Sequence, residues 1–232
     1  MNAKLWFFSG GGIFTPLTLS PIAWWDNGTP YMAVDGSSWT DRISSKVVSL
    51  VNSSVTYTPN AQNGKPSMAF AGTGGLQGTK IAAIEGISGI TLWSVGKRYA
   101  IQQGDTTNGW LNMIGQVHYN DDTNYCVASD GTAKYGSILK SNVFNYSVMV
   151  FDGTQTGNAN RLKYWVNGVQ QTLTFTGTIP ALTQSASVNL RIGQAGSLAV
   201  SGQSLEHGIV SRAITSVEVS SLNSYLSTKY AL

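Results

Sequence analysis

The stretch RLKYWVNGVQQTLTF, residues Arg161 to Phe175, has the pattern of a β-hairpin. Its first half alternates between an apolar face and a mixed face, which is the period-two pattern of a strand. Asn167-Gly168 follows, and both residue types tolerate the positive φ that tight hairpin turns require. An extended run rich in β-forming residues resumes at Val169 and continues to Phe175. The stretch therefore predicts two antiparallel strands joined at Asn167-Gly168.

Turn-forming pairs of this kind recur at short spacing along the rest of the chain. Between them lie short alternating or apolar runs that are predicted to be strands: Ser67-Phe70, Thr91-Lys97, Gly115-Tyr119, Tyr125-Ser129, Tyr146-Phe151 and Val188-Gly193. No repeat of fixed period and no linker divides the chain. The pattern predicts an all-β fold in which two antiparallel sheets form a sandwich over residues 22–232, preceded by an N-terminal arm over residues 1–21.

One short helix is predicted near the C-terminus. Thr215 can cap the first free amides, and Glu218 stands three residues later, which makes a capping box. Lys229 is favourable in the last turn because it complements the helix dipole. The apolar residues fall on one side of the predicted helix: Val219, Leu222, Leu226 and Tyr230. Such a helix would close an open end of the sandwich or cover an edge.

The composition is poor in charge. Charged residues make up 11% of the 232 residues, and 27 Ser, 22 Thr and 26 Gly supply polarity instead. Such a hydroxyl-rich surface is typical of extracellular β-proteins and virion proteins, although β-sheet loops favour these residues in any case. The net charge of +3 is not clustered, so an electrostatic footprint for nucleic acid is missing. The single cysteine, Cys126, excludes an intrachain disulfide and a cysteine-based zinc site. His118 and His207 stand in no ligand-spaced motif and are predicted to be surface or partly buried strand residues.

The N-terminal arm carries four consecutive apolar residues: Leu5, Trp6, Phe7 and Phe8. Ser9-Gly12 then breaks the run, which is shorter than the roughly 7–15 apolar residues of a secretory core. No stretch approaches the ~20 apolar residues that cross a bilayer, so no membrane partner is predicted. Alternation places these four side chains on both faces of an extended segment, and a partner subunit could cover one of them. An edge strand folded back on its own sheet is the alternative.

Six short elements occur in an order that resembles a known family. They are Ile22-Ala23-Trp24-Trp25-Asp26, Trp39-Thr40-Asp41-Arg42, Asn63–Gly72, Tyr164–Val169, Leu190-Arg191-Ile192-Gly193 and Gly208–Val219. Together they resemble the concanavalin A-like lectin/glucanase superfamily, in particular the laminin G-like jelly-roll domains of phage and bacterial surface proteins. The resemblance covers about residues 22 to 232 and implies a jelly-roll sandwich. Trp24, Trp25 and Trp39 are predicted to be core or sheet-face residues. Glu206-His207 stands where the family often has an acidic residue, just before the apolar run of the last strand.

The same family hosts hydrolases, lectins and structural parts, so the resemblance alone does not fix the function. Its glucanase branch carries Glu-x-Asp-x-x-Glu on one strand. This chain has three glutamates, Glu85, Glu206 and Glu218, and none is followed by Asp two residues later. Glycoside hydrolysis needs a pair of carboxylates across the scissile bond. The sequence therefore predicts a protein that is not an enzyme and has no catalytic cofactor.

Two non-catalytic functions remain. A glycan site is predicted between residues 110 and 125, where aromatic and planar polar side chains cluster: Trp110, Tyr119, Asp121, Asp122, Asn124 and Tyr125. Asp121-Asp122-Thr123-Asn124 is also a hard-oxygen cluster of the kind that holds calcium. A solvated hairpin turn with its aromatics packed on the sheet is the alternative for this segment.

The preferred hypothesis is a non-catalytic virion structural protein: a phage capsid decoration, tail or fibre component. It would associate with other virion proteins or with copies of itself as a homo-oligomer, and retain a surface for host carbohydrate. The alternative is a lectin-like carbohydrate-binding module of a bacterial surface protein.

Overall fold

The structure is a computed structural model that describes residues 13–51, 55–71, 74–105, 112–118, 123–128, 134–183, 189–195 and 198–232. Its strands are β1 (Ala23–Trp25), β2 (Ser38–Thr40), β3 (Val47–Leu50), β4 (Val55–Gln62), β5 (Lys65–Phe70), β6 (Leu76–Gly78), β7 (Gly89–Lys97), β8 (Ala100–Asp105), β9 (Asn112–His118), β10 (Thr123–Ala128), β11 (Tyr135–Leu139), β12 (Asn145–Asp152), β13 (Leu162–Val166), β14 (Val169–Gln171), β15 (Thr174–Thr176), β16 (Leu190–Ile192), β17 (Gln194–Ala195), β18 (Leu198–Ala199) and β19 (Gly202–Val210). The helices are α1 (Asn158–Arg161) and α2 (Ser216–Tyr230), and short 3-10 turns cover Pro16–Leu19 and Ala82–Ile84.

Two antiparallel sheets form the body of the described chain. The helix-side sheet has eight strands, in the order β14-β13-β12-β7-β19-β5-β4, with β1 also paired to β19. The far sheet has nine strands, in the order β15-β11-β10-β9-β8-β16-β6-β3-β2. Strands β17 and β18 form a separate two-stranded ribbon. The predicted all-β sandwich with a C-terminal helix is confirmed, and all six predicted strands are present, in β5, β7, β9, β10, β12 and β16.

The centre of the helix-side sheet is buried on both faces because α2 covers its outer side there. Along β7, Leu92 points into the core between the two sheets, whereas the next residue, Trp93, points into a second cluster beneath α2. Val148 on β12 and Leu226 on α2 belong to the same second cluster. The molecule thus has three layers. The helix lies on a sheet face, whereas the sequence suggested an open end or an edge.

The predicted start of α2 is confirmed in detail. Thr215 Oγ1 accepts a hydrogen bond from the backbone N–H of Glu218 at 3.3 Å, and a carboxylate oxygen of Glu218 accepts from the backbone N–H of Thr215 at 2.8 Å. These two bonds satisfy amides that have no partner within the helix. The predicted apolar face is buried at each of its four positions: Val219, Leu222, Leu226 and Tyr230.

The hairpin of the quoted stretch is present, but its second strand is shorter than predicted. Asn167 and Gly168 both have positive φ, 47° and 79°, as the turn requires. Strand β14 ends at Gln171, and the chain then crosses to the far sheet, where β15 pairs with β11. Leu173 lies buried at the crossing, and a Cβ on Gly136 would stand only 2.7 Å from its side chain. The space at Gly136 therefore lets Leu173 enter the core and divides the predicted strand.

Both histidines are more buried than the sequence indicated. His118 on β9 and His207 on β19 are each 0% exposed and lie in the interior. Burial lowers the pKa of His207 to about 3, so the ring is neutral at physiological pH. The three tryptophans Trp24, Trp25 and Trp39 are core residues, as predicted. Within the described ranges, no helix combines the length and apolar character that would let it cross a membrane.

Candidate functional site

A groove with a volume of about 550 Å³ separates α2 from the β13–β14 hairpin. We call it the helix–hairpin groove. The hairpin is the edge of the helix-side sheet and projects beyond the part of the sheet that α2 covers. The groove arises because the helix packs over β7, β12 and β19 and leaves the edge hairpin only partly covered.

The hairpin wall presents one aromatic and one amide side chain. Trp165 on β13 and Gln170 on β14 are directly paired across the hairpin, so their side chains lie on the same face of the sheet. Trp165 is half-buried, because part of its ring packs against the cluster beneath α2. Gly168 lies at the end of this wall, where a Cβ would stand 3.2 Å from the Tyr146 hydroxyl. The glycine serves the turn and also keeps the end of the groove open.

The helix wall is lined by hydroxyl groups. Its side chains recur at helical spacing along one side of α2: Ser216, Ser220, Asn223, Ser224, Ser227 and Thr228. Serine is a poorer helix former than alanine, so this wall costs the helix some stability. Ser224 donates its hydroxyl proton to the Ser220 carbonyl, which leaves the Ser224 oxygen able to accept from a ligand.

Asn223 lies at the floor of the groove and is 9% exposed. Among the described residues, nothing donates a hydrogen bond to its side-chain oxygen. A buried amide oxygen without a donor costs about 1–3 kcal/mol. The terminal torsion of an asparagine is soft, so the side-chain amide can rotate to meet a donor that a ligand offers in the groove. A ligand hydroxyl placed there would satisfy it.

The groove is electrically neutral. Among the residues that the structure describes, its lining contains no carboxylate, ammonium or guanidinium group. Burial raises the pKa of Tyr146 above its usual value, although a hydrogen bond with Ser227 acts in the opposite direction, so the phenol stays protonated at physiological pH. A ligand in this groove would therefore be held by hydrogen bonds and apolar contact.

Glu206 is held by four donors and plays a structural role. One of its oxygens accepts from the indole N–H groups of Trp24 and Trp93, both at 2.9 Å. The other accepts from Lys229 Nζ at 2.6 Å and from the Tyr230 hydroxyl at 2.7 Å. The residue is 0% exposed. The carboxylate that the family resemblance placed before the last strand thus fastens α2 to the sheet.

Lys229 connects this site to a second carboxylate. Its Nζ lies 2.5 Å from one oxygen of Asp26, and Arg42 pairs with the other oxygen at 2.7 Å. Burial alone would lower the pKa of Lys229, but the charges of Glu206 and Asp26 raise it above the usual range. The lysine therefore stays charged between its two partners.

The other two glutamates are also engaged. Glu85 pairs with Lys80 at 3.1 Å and accepts from Gln103 at 2.9 Å. Glu218 caps α2 and pairs with Arg212 at 2.6 Å. All three glutamates lie in described ranges, and none lines the helix–hairpin groove.

Most of the predicted glycan site lies outside the described residues. This applies to Trp110, Tyr119, Asp121 and Asp122, to the side chain of Tyr125, and to the four apolar arm residues Leu5, Trp6, Phe7 and Phe8. Asn124 is described and is fully buried, with its amide donating to Cys126 Sγ at 3.4 Å. It therefore faces the interior and does not form part of an open surface.

The predicted calcium cluster also lies mostly outside the described residues. Where the structure does describe the chain, it brings together no group of three or more His, Cys, Asp or Glu side chains that could share a metal ion.

The helix–hairpin groove was missed at the sequence level. The spacing of Ser216, Ser220, Ser224 and Ser227 was visible, but α2 was judged by its apolar side alone. Nothing in the sequence indicated that this polar side faces Trp165, which is some fifty residues earlier in the chain.

The sequence matches no protein-family model and no curated protein. Similar solved structures include a Trypanosoma rangeli sialidase, with a TM-score of 0.58 and 12% identity over 95% of this chain and 34% of the sialidase. Domain 4 of AbnA, a GH43 extracellular arabinanase from Geobacillus stearothermophilus solved with arabinotriose, has a TM-score of 0.57 and 14% identity over 88% of this chain and 98% of that domain. The receptor-binding domain of a botulinum neurotoxin C/D mosaic serotype has a TM-score of 0.59 and 11% identity over 89% of this chain and 51% of its own length.

This chain therefore spans about a third of the length of the sialidases that it matches. At this low identity the likeness shows the fold alone. It supports the assignment of a two-sheet jelly-roll sandwich.

Proposed function

We propose that this chain is a non-catalytic, lectin-like module that binds carbohydrate in the helix–hairpin groove. The observation that carries the proposal is the unpartnered oxygen of Asn223 at the floor of a groove that also contains Trp165. Sugars present an apolar ring face together with a rim of hydroxyl groups. An aromatic ring beside planar amides and hydroxyls complements both features, and these groups lie within one concavity.

Two similar structures support this proposal. The arabinanase domain was solved in complex with arabinotriose, and the botulinum domain is a receptor-binding domain. A fold that binds ligands in other proteins can also carry a binding site in this chain. The side chains that contact the ligand must, however, be those of this chain's own groove.

The state of the glutamates supports a function without catalysis. A glycosidase needs one carboxyl group as acid and a second as base or nucleophile, with the sugar between them. The groove offers neither, and Glu206 is surrounded by four protein donors. Binding in the groove requires no metal, so we expect a chelator to leave it unchanged. The Asp121-Asp122 segment stays a separate calcium prediction.

Titration calorimetry against a glycan panel tests the proposal. Trp165→Ala should weaken the binding of a recognised glycan about tenfold or more, which corresponds to ~1.4 kcal/mol. Val169→Ala is the matched control, because Val169 is exposed on the same hairpin and does not line the groove. Near-ultraviolet circular dichroism should show that both variants keep the native fold. Equal binding by the parent and by Trp165→Ala, or no glycan binding by the parent, would refute the proposal.

A structural role in a virion is the more specific form of this function, and we propose it from the sequence. The uncharged, hydroxyl-rich composition and the four apolar residues from Leu5 to Phe8 favour a phage decoration, tail or fibre component. The arm would attach the chain to copies of itself or to a scaffold, and the groove would face host glycans. A bacterial surface lectin is the alternative, and it would need no attachment arm.

Deleting residues 1–12 separates these two roles. If the arm mediates attachment, the truncated protein should unfold at nearly the same denaturant concentration as the parent but become monomeric or fail to load onto particles. Light scattering and particle loading measure this outcome. A truncated protein that unfolds, or one that assembles as before, would contradict the attachment role.

A further inference from the structure

The helix wall of the groove is long compared with a single sugar. From Ser216 to Thr228 it extends over twelve residue steps of α2, or about 18 Å at 1.5 Å per residue. Its hydroxyl groups recur along this length rather than converging on one point, because Ser216, Ser220 and Ser224 are each one helical turn apart. A row of equivalent polar groups suits a ligand whose own hydroxyl groups recur along a line.

We propose that the helix–hairpin groove is selective for an extended, neutral oligosaccharide and discriminates against single sugars and acidic glycans. This inference rests on the proposed carbohydrate-binding function and specifies its ligand. Trp165 and Gln170 would contact one sugar unit from the hairpin side. Asn223 and the serines of α2 would contact that unit and its neighbours from the helix side.

The start of α2 is the one feature of the helix wall that would ordinarily attract an acidic sugar. The free amides at a helix N-terminus carry partial positive charge and favour anions. Here the capping box of Thr215 and Glu218 occupies two of the amides at this end of the helix. The hydrogen bonds from Arg212 hold the pKa of Glu218 at about 2, so its carboxylate stays ionised beside the helix start. This negative charge cancels the attraction and disfavours a second carboxylate nearby.

The cations close to the groove interact with carboxylates that lie outside it. Lys229 belongs to α2, but its Nζ is directed toward Asp26 and Glu206 beneath the helix. Lys163 stands two residues before Trp165 on the same strand, and its charge helps to lower the pKa of Asp152. Arg212 is paired with Glu218. An acidic glycan would therefore find no counterion among the residues that line the groove.

The experiment measures affinity against three ligand series with the intact protein. Neutral gluco-oligosaccharides and arabino-oligosaccharides from monosaccharide to hexasaccharide test length, and oligogalacturonides of matched length together with sialyllactose test charge. We expect affinity for one neutral series to rise at least tenfold from monosaccharide to tetrasaccharide. The matched acidic ligand should bind at least tenfold more weakly.

A steric block places the effect in the groove. Ser220→Tyr puts a ring in the middle of the helix wall and should reduce tetrasaccharide affinity to that of the monosaccharide. Val217→Tyr is the control, because Val217 is exposed on the same helix and lies outside the groove. Its affinity should match that of the parent.

The outcomes separate the two levels of the proposal. If the parent binds none of these glycans, the carbohydrate-binding function itself fails. If the parent binds monosaccharides as tightly as longer chains, or prefers the acidic ligands, the function stands and the selectivity inference is wrong. If Ser220→Tyr binds tetrasaccharide like the parent, a glycan is bound at another place and the groove assignment is wrong.

Discussion

Glu206 shows how much a single residue with a buried charge can contribute to the stability of the fold. Both of its oxygens are occupied by two donors each, and one of these donors is the charged Lys229. Glu206→Gln keeps the shape, but it removes the charge that compensates Lys229 and places an amide NH₂ against groups that also donate. Breaking a buried ion pair from one side costs about 3–5 kcal/mol. We expect a loss of this size in the free energy of unfolding measured in urea.

The control for this prediction is Glu218→Gln. Glu218 also forms an ion pair, but that pair is partly exposed to solvent, and a glutamine can still accept from the Thr215 amide, so the change should cost only about 1 kcal/mol. The structural role assigned to Glu206 would be wrong if Glu206→Gln were as stable as Glu218→Gln.

Lys140 makes the stability depend on pH. It is 7% exposed, and its Nζ donates to the Tyr99 hydroxyl at 2.7 Å and to the Tyr164 hydroxyl at 3.3 Å. Burial lowers the pKa of Lys140 to about 7, against an opposing influence of Cys126, whereas an unfolded lysine titrates near ~10.4. From pH 7 upward the unfolded chain therefore holds a proton that the folded chain has released. The free energy of unfolding should rise with pH, by up to about 1.4 kcal/mol per unit, and this contribution should be lost as pH falls to 7.

Urea unfolding at several pH values between about 7 and 8.5 measures this slope. The range stops near ~8.5 because the Cys126 thiol starts to ionise there in the unfolded chain, which acts in the opposite direction. Lys140→Met should remove most of the slope, and the smaller rise that remains near pH 7 comes from the buried, neutral His207. Lys80→Met, at a lysine that is 45% exposed, should retain the full slope. A full slope that survives in Lys140→Met would show that another group is responsible.

These buried polar residues could not be found from the sequence. Lys140 follows a short strand and precedes polar residues, so its local pattern is that of an exposed lysine. The partners of Glu206 come from β1, β7 and α2, three segments that are remote from one another in the sequence. Burial of a charge depends on such long-range contacts, which local patterns do not encode. By contrast, the tryptophans of the core were predictable because their size and polarity favour the interior wherever they stand.

At the scale of elements, the cap of α2 was both predictable and testable. A capping box is defined by residues three positions apart, so the sequence contains all of the information it needs. Thr215→Ala removes the oxygen that accepts from the Glu218 amide and should lower the free energy of unfolding by about 0.5–2 kcal/mol. Thermal and urea unfolding would measure the loss.

Ser221→Ala serves as the control for the cap. Ser221 lies inside α2, outside the groove, and its hydroxyl donates only to the Val217 carbonyl of the same helix. Alanine is the better helix former, so this variant should be as stable as the parent or slightly more so. Equal stability of Thr215→Ala and Ser221→Ala would contradict the role of the capping box.

Strands were predictable where they are long enough to show a period. Strands β7 and β12 have nine and eight residues and were recognised, whereas β2, β6 and β17 have two or three residues and show no pattern. The hairpin turn was predictable because Asn167-Gly168 specifies positive φ locally. The point at which the chain leaves the hairpin was not predictable from the sequence. It depends on the space that Gly136, on strand β11, leaves for the side chain of Leu173.

At the scale of the whole molecule, the sandwich was predictable, but the third layer and the groove were not. The alternating strands and turn signals indicate two sheets, whereas the position of α2 depends on which sheet face is apolar on its outer side. Continuous apolar strands such as β12 are consistent with burial on both faces, but they also occur in ordinary cores. The groove exists because α2 covers the centre of its sheet and leaves the edge hairpin exposed, and this offset is a property of packing between distant segments.

The same layering predicts that α2 cannot be removed from the domain. The cluster beneath the helix includes Trp93, Val95, Val148 and Leu205, each at most 2% exposed, and the helix buries Leu222 and Leu226 against them. Each large side chain contributes about 1.5–3 kcal/mol when buried, and a whole domain is stable by only about 5–15 kcal/mol. Deleting residues 215–232 exposes this face and also removes Lys229 and Tyr230, two of the four donors to Glu206. We therefore expect the truncated chain to lose its near-ultraviolet circular dichroism signal and its cooperative unfolding in urea. As a control, deleting only residues 231–232 should shift the urea midpoint only slightly. A truncated chain that still folds and unfolds cooperatively would contradict this prediction. The two sheets would then be sufficient for a stable fold, and the groove wall that α2 provides would be free to move.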